Sequence, residues 1–189
     1  MDFSLGSLNI KKNKSVLFSG KSNQTKKLIK CILKKHQTKE DIFVVFDPSN
    51  HSSLMDASFV ISGTSFGKKS VELESVSSLP EISSKIHSVE KNHNFKGILL
   101  FDSLSSILSF NPSNSVYSFI FFETRKAKKL NYSVICFIDE RLHDEAVLLN
   151  IKKVMDYNFF FEIKANKLFI EQTAFPFNLI KQNFVFDLL

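Results

Sequence analysis

The fold of this chain is decided by residues 15–35, which read Ser15-Val16-Leu17-Phe18-Ser19-Gly20, then Lys21-Ser22-Asn23-Gln24-Thr25-Lys26-Lys27, then Leu28-Ile29-Lys30-Cys31-Ile32-Leu33-Lys34-Lys35. An apolar run ends at a glycine, a short polar segment follows, and apolar residues then recur at helical spacing. The stretch predicts a strand over residues 14–19, a loop, and a helix from about Thr25 to Lys35. In this order, backbone N–H groups and the positive end of a helix lie where a phosphate could bind.

The spacing of this loop matches a nucleotide-binding P-loop only in part. The full motif has a glycine, four residues, a second glycine, a lysine, and then serine or threonine. Gly20 and Lys26 occupy the first glycine and the lysine, whereas Thr25 replaces the second glycine and Lys27 replaces the magnesium-binding hydroxyl. The predicted nucleotide-binding residues are Gly20, Lys21, Ser22, Asn23, Gln24, Thr25, Lys26 and Lys27.

A second register of the same motif is open, because Gly20-Lys21-Ser22 also spells its last three residues. That register places the first glycine at Ser15 and forces residues 16–18 into a solvated loop. Three consecutive bulky apolar residues predict a buried strand instead. We therefore prefer the register that begins at Gly20.

Later apolar runs predict a mainly parallel sheet. Residues 41–47, 97–102 and 132–138 are apolar nearly throughout, as in strands covered by helices on both faces. Shorter elements are predicted at 59–61 and 71–76, and helical segments at 80–92, 103–108, 113–130 and 143–154. Residues 157–171 predict a hairpin with its turn at Ala165-Asn166, and a last strand follows at 183–188.

This order of elements predicts a single domain, a three-layer α/β/α sandwich with a mainly parallel sheet and a C-terminal antiparallel hairpin. Residues 1–13 form a lead-in, residues 14–155 the α/β core, and residues 156–189 the hairpin and last strand. No apolar run is long enough to span a bilayer, and no signal peptide opens the chain. Cys31 and Cys136 are far apart in sequence, so we expect reduced thiols and a cytoplasmic location.

The net charge of +6 raises the hypothesis of nucleic-acid binding. A basic face could be formed by Lys21, Lys26, Lys27, Lys30, Lys34 and Lys35. The chain is also rich in Lys, Asn, Ile and Phe and poor in Gly, which is what an AT-rich coding sequence would produce. Charge alone is therefore a weak indicator of a nucleic-acid partner.

Three features together resemble the RecA-like ATPase core, specifically the KaiC/RadA-like branch common in archaea. They are the strand–loop–helix from Lys14, the apolar strand that ends at Asp102, and the segment Val154–Tyr157 followed by a hairpin. The resemblance covers nearly the whole chain from Lys14 onward and implies a RecA-like P-loop NTPase fold. It also implies that residues 97–102 lie in one sheet with residues 14–19, two places apart.

The resemblance implies roles for single residues toward ATP and Mg²⁺. Lys26 would reach the β- and γ-phosphates, and Asp102 would hold the magnesium ion through water. Asp47 is the candidate catalytic residue, because it takes the place of a glutamate that orients the attacking water. Asp139 and Glu140 lie where the family senses the γ-phosphate.

The departures from the family pattern predict weak or no ATP hydrolysis. Thr25 adds a Cβ where glycine lets the loop bend around phosphates, and Lys27 replaces a magnesium ligand with a cation. Asp47 is one methylene shorter than the glutamate, so it would hold a water less well. Two alternatives are an active ATPase with an atypical loop and a nucleic-acid accessory factor similar to recombinase paralogues.

We therefore expect a regulatory or scaffolding subunit. It would associate with further copies of itself, or with a related ATPase or regulatory protein. The C-terminal segment supplies a candidate partner surface if part of it is exposed, because it carries Phe159, Phe160, Phe161, Phe169, Phe175, Phe177, Phe184 and Phe186.

Overall fold

The computed structural model describes residues 3–5, 8–36, 42–45, 59–63, 70–93, 95, 97–173 and 183–187. The strands are β1 (Phe3–Leu5), β2 (Leu8–Ile10), β3 (Ser15–Ser19), β4 (Ile42–Val45), β5 (Phe59–Ser62), β6 (Ser70–Glu72), β7 (Ile98–Phe101), β8 (Ser133–Ile138), β9 (Tyr157–Lys164), β10 (Lys167–Thr173) and β11 (Asn183–Asp187). The helices are α1 (Ser22–His36), α2 (Leu79–His93), α3 (Leu104–Phe110), α4 (Ser113–Leu130) and α5 (Glu145–Val154), and a 3-10 turn spans Glu140–Leu142.

Strands β3 to β11 form a nine-stranded sheet in the order β11-β10-β9-β3-β8-β7-β4-β5-β6. Every neighbouring pair from β9 to β6 is parallel, whereas β9, β10 and β11 pair antiparallel. Parallel neighbours need crossover connections, which here include α2, α4 and α5. The predicted α/β class with a mainly parallel sheet and a C-terminal hairpin is confirmed.

Two apolar cores lie on opposite faces of this sheet, because side chains alternate along each strand. On one face, Leu17, Leu99 and Cys136 lie in a core with buried residues of α2, α4 and α5. On the other face, Phe18, Ile135 and Phe161 lie in a core with Leu28, Ile29 and Ile32 of α1. The sheet is thus covered by helices on both faces. Among the described residues, no helix is both long and apolar enough to cross a membrane.

Strand β8 lies between β3 and β7 in this sheet. Val16 pairs with Ile135 of β8, and Leu99 of β7 pairs with Val134 on the other side. The expectation that residues 97–102 lie two places from residues 14–19 in one sheet is confirmed. Since the three strands are parallel, the residues that follow them, namely Gly20, Asp102 and Asp139, lie at the same edge of the sheet.

The beginning of the chain differs from the sequence-based expectation in two respects. The lead-in, which shows no periodicity, forms an antiparallel hairpin of β1 and β2. Helix α1 begins at Ser22, not near Thr25. The physical reason is that residues 22–27 contain neither glycine nor proline, so nothing in them stops the helix from forming directly after Gly20. The turn at Ala165-Asn166 is confirmed, with φ of 46° and 62° at these residues.

The phenylalanines of the C-terminal segment divide between core and surface. Phe159 and Phe161 are each 1% exposed, whereas Phe160 and Phe169 are each 38% exposed. Phe184 is partly buried against the core. Phe175 and Phe177, and the side chain of Phe186, lie outside the described part of the chain. Most of the described rings therefore serve the core, and two remain available to a partner.

Candidate functional site

The junction between β3 and α1 consists of Gly20 and Lys21 alone. Gly20 donates its N–H to the carbonyl oxygen of Ile138 at 3.0 Å, so it continues the pairing of β3 with β8. A Cβ at Gly20 would lie 2.6 Å from the carbonyl oxygen of Phe161 and 2.7 Å from its ring. Glycine is required here because β9 approaches the backbone closely.

Residues 22–27, which the sequence predicts as part of a phosphate-binding loop, form the first turns of α1. Thr25 is buried, and Gln24 accepts the N–H of Ile163 at 2.9 Å and donates to the carbonyl oxygen of Ile163 at 3.2 Å. Lys21, Asn23 and Lys27 are exposed, and Lys26 is half-buried. Gln24 thus joins α1 to β9, and the expected loop conformation before Thr25 is wrong.

The N-terminus of α1 is bound by a carboxylate of the chain itself. Ser22 donates its N–H to Oδ2 of Asp139 at 2.9 Å. Arg141 donates from Nη2 to Oδ2 at 2.6 Å, from Nε to Oδ1 at 2.9 Å, and from its own N–H to Oδ1 at 3.2 Å. The Asp139 side chain is 1% exposed. A negative charge therefore lies at the helix end that would otherwise attract a phosphate.

The ionisation of Asp139 follows from these contacts. The hydrogen bonds from Arg141 hold the pKa of Asp139 well below its ordinary value, although burial acts in the opposite direction, and the N–H of Ser22 adds to the effect. Asp139 is therefore a permanent anion at neutral pH. Glu140, the other residue expected to sense a γ-phosphate, accepts a hydrogen bond in an ion pair with Lys152 at 2.6 Å.

A serine and a histidine lie beside Asp139 at this edge of the sheet. Asp139 donates its N–H to Oγ of Ser105 at 3.0 Å, and the same Oγ lies 2.8 Å from Nε2 of His143. Burial lowers the pKa of His143, while Asp139 and Asp144 oppose that shift. Ser105 is 6% exposed, and both of its contacts are to residues of the β8–α5 connection, which it therefore helps to orient.

Sequence reasoning identified Asp139 but missed Ser105, Arg141 and His143. A signal for Arg141 was its place two residues after an aspartate that ends a buried strand. Ser105 and His143 carry no comparable local signal, because each lies on a different connection and they meet only through the strand order. Among the described residues, these four nevertheless form a connected polar cluster at the carboxyl edge of the strands.

The structure describes Asp102 but not Asp47, the two remaining predicted site residues. Asp102 follows β7, is 2% exposed, and donates its N–H to the carbonyl oxygen of Val44 at 3.2 Å. Asp47, the candidate catalytic residue, lies outside the described residues. Within the described residues, no group of three His, Cys, Asp or Glu side chains is arranged to hold a metal ion.

The residues at this junction do not fit a magnesium nucleotide in the P-loop manner. Asp139 already accepts the N–H of Ser22, and a phosphate there would meet its negative charge at close range. Lys27 stands on α1 where a hydroxyl would bind the metal ion. The junction therefore serves to hold α1, β8 and β9 together.

The lysines of the predicted basic face are only partly gathered on one surface. Lys21, Lys27 and Lys30 are exposed on or beside α1, whereas Lys26 is half-buried. The side chains of Lys34 and Lys35 lie outside the described part of the chain. Comparison of the sequence with protein-family models and with curated proteins finds no match, so a functional assignment depends on the residues described above.

Proposed function

We propose that this chain is a RecA-like protein whose phosphate site has decayed. It acts as a regulatory or scaffolding subunit through association with other proteins, with weak or no ATP hydrolysis. The observation that carries the proposal is the carboxylate of Asp139 bound to the N-terminus of α1, where such a protein would bind the phosphates. The strand order supports the RecA-like part, since β3 and β7 lie in one sheet with β8 between them.

The protein-association part of the proposal is supported by the exposed aromatic residues. Phe121 and Phe122 of α4 are 40% and 58% exposed, and Phe160 and Phe169 add rings at the C-terminal sheet. Isolated exposed apolar residues are ordinary on protein surfaces, but adjacent aromatic rings indicate a contact surface. In this proposal the protein acts by binding other proteins, and the β3–α1 junction at Gly20 holds the fold together.

Nucleotide binding is the property that tests this proposal. For a ligand that binds the folded protein, a concentration of about 100 times Kd adds about 2.7 kcal/mol of stability. In a chain of this size, that corresponds to a rise in Tm of roughly 5–10 °C. We expect no such rise when millimolar ATP and MgCl₂ are added to the full chain in a thermal unfolding experiment.

The control compares two lysines of α1. Lys26→Ala removes the residue expected to reach the phosphates, and Lys30→Ala removes an exposed lysine one turn later. We expect neither variant to change the response to ATP. Magnesium-dependent stabilisation together with ATP hydrolysis, both lost in Lys26→Ala and kept in Lys30→Ala, would show an active ATPase and contradict the proposal.

A further inference from the structure

The outward surface of α4 combines aromatic rings with cations. Residues Val116, Phe119, Ile120, Glu123 and Ala127 face the sheet and are buried. The opposite side, here called the α4 outer face, is formed by Tyr117, Phe121, Phe122, Arg125 and Lys129. Along the helix, the rings lie at 117–122 and the cations follow at 125 and 129, nearer the C-terminal end. The face is thus divided into an apolar end and a basic end.

The rings on this face are already engaged by neighbours on the same helix. Tyr117 stacks on Phe121 with centroids 6.2 Å apart, and the Arg125 guanidinium lies 5.0 Å from the Phe121 centroid. The Lys126 ammonium lies 5.8 Å from the Phe122 centroid. A nucleic-acid base needs an open ring face on which to stack. These contacts occupy part of the ring faces on which a base would stack, so we favour the apolar side chains of a protein as the partner.

The charge of the face is of one sign. Glu123 is the single acidic residue of α4, all of which the structure describes, and it points inward to Ser83 and Lys126. Lys128 is bound to Asp156 at 2.8 Å, which leaves Arg125 and Lys129 as the cations of the outer face. A partner that covers the rings therefore gains by placing carboxylates at the C-terminal end of α4, where repulsion by a cationic partner would cost affinity.

We propose that the α4 outer face binds an amphipathic helix of a partner protein, with apolar side chains against Phe121 and Phe122 and acidic side chains against Arg125 and Lys129. A helix fits because α4 is 18 residues long, and the rows of side chains on one helix pack into the grooves between the rows of another. The inference deepens the proposed function, since it names the surface through which a scaffolding subunit would associate.

Two synthetic peptides of about 20 residues test the proposal, because that length matches α4. Both carry a leucine stripe at helical spacing; one has glutamates and the other lysines beyond the same end of the stripe. Fluorescence anisotropy with the full chain should show that the glutamate peptide binds at least about tenfold more tightly than the lysine peptide. Phe122→Ser and Arg125→Glu should each weaken binding of the glutamate peptide about tenfold.

Matched variants elsewhere on the surface serve as controls. Val185→Ser removes an exposed apolar side chain of β11, and Lys30→Glu reverses another exposed lysine, so both should change the affinity less than about twofold. Arg125→Glu should also strengthen binding of the lysine peptide, because it reverses the charge at one end of the face. A fold defect would not produce such a swap.

Several results would overturn the proposal. Equal affinity for the two peptides, or equal losses in the control variants, would show non-specific binding. Binding of an oligothymidine that Phe122→Ser abolishes would assign the face to nucleic acid. Light scattering that shows a dimer lost in Phe122→Ser would assign it to a second copy of the chain. None of these variants touches residues 20–27, so the peptide and nucleotide experiments can fail independently.

Discussion

The β3–α1 junction and the acidic cluster between α2 and α4 both bury carboxylates, but they provide different partners for them. At the junction, Asp139 accepts hydrogen bonds from Ser22 and Arg141 on both of its oxygens. In the cluster, Lys126 is shared between Glu123 at 2.7 Å and Glu90 at 3.2 Å. At the junction, one carboxylate therefore has hydrogen-bond donors on both oxygens. In the cluster, two carboxylates share one ammonium.

The two regions consequently shift carboxyl pKa values in opposite directions. Burial raises the pKa of Glu123, although Lys126 and Ser83 act against the shift. The contacts of Arg141 lower the pKa of Asp139. Tyr132 donates its O–H to Glu90 at 2.5 Å and satisfies one oxygen of the second carboxylate. The difference shows that burial alone does not decide ionisation, since Asp139 and Glu123 are both nearly inaccessible.

The largest expected effect comes from removing the cation of the cluster. Lys126→Met leaves Glu123 and Glu90 buried without an ammonium, and breaking a buried ion pair in this way costs about 3–5 kcal/mol of unfolding free energy. Urea denaturation at neutral pH measures the loss. It should shrink at acidic pH, because protonation of Glu123 then removes one of the two uncompensated charges.

Lys129→Met is the matched control, because Lys129 lies exposed on the same helix. Substitution of an exposed residue of this kind should change the free energy of unfolding by less than about 0.5 kcal/mol. If Lys126→Met proved as mild as Lys129→Met, the cluster would not depend on Lys126. The contrast with the junction would then be unfounded.

The sequence was sufficient for the architecture because the elements carry local signals. Buried strands such as residues 133–138 are continuous apolar runs, and the turn at Ala165-Asn166 is favoured by Asn166, a residue type that tolerates a positive φ. The separation of β3 and β7 by two places in one sheet followed from the resemblance. The hairpin of β1 and β2 was missed because strands of this length, such as Phe3–Leu5, are too short to show a period.

The candidate site could be predicted only as a set of residue types. Gly20 was identified by spacing, but its close contact with Phe161 depends on how β9 pairs with β3. Likewise, Asp139 is separated from Ser22 by 117 residues, so no local pattern shows that one caps the other. The predicted loop conformation is wrong at residues 22–24, where the helix has already begun and an internal carboxylate provides the acceptor that the helix end requires.

The contributions of Asp139 and Glu123 to the free energy of unfolding should change with pH in opposite directions. Asp139 has a lowered pKa in the folded state, so its stabilising effect is present above its ordinary pKa of 3.8 and is lost as the pH falls below it. Glu123 has a raised pKa, so its contribution is greatest below 4.5 and is lost as the pH rises above that value.

Asp139→Asn and Glu123→Gln test this difference by urea denaturation from about pH 3 to 8, a range that begins below the ordinary pKa of Asp139 and extends well above that of Glu123. Asp139→Asn should cost about 2 kcal/mol at neutral pH, through the loss of charge-assisted hydrogen bonds, and the deficit should shrink as the pH falls. Glu123→Gln should gain stability relative to the native chain as the pH rises. Parallel pH profiles for the two variants would contradict the assignment.

The smallest effect is expected at the contact between α1 and β9. Gln24→Ala removes both hydrogen bonds to Ile163 at a half-buried position, which should cost about 1 kcal/mol of unfolding free energy. Asn23→Ala, at the exposed neighbouring position, should lower the free energy of unfolding by about 0.5 kcal/mol at most. Amide hydrogen exchange gives a local measurement, because the N–H of Ile163 loses its acceptor only in Gln24→Ala.

The outcome of that exchange experiment bears on the junction as a whole. Strand β3 pairs with β9 as far as Ser19 and Phe160, and beyond that point the side chain of Gln24 supplies the next donor and acceptor to β9. Faster exchange at Ile163 in Gln24→Ala alone would show that the first turns of α1 extend the sheet edge. Unchanged exchange would mean that Ile163 is protected by β10 and the body of α1, and that residues 22–24 are available for another role.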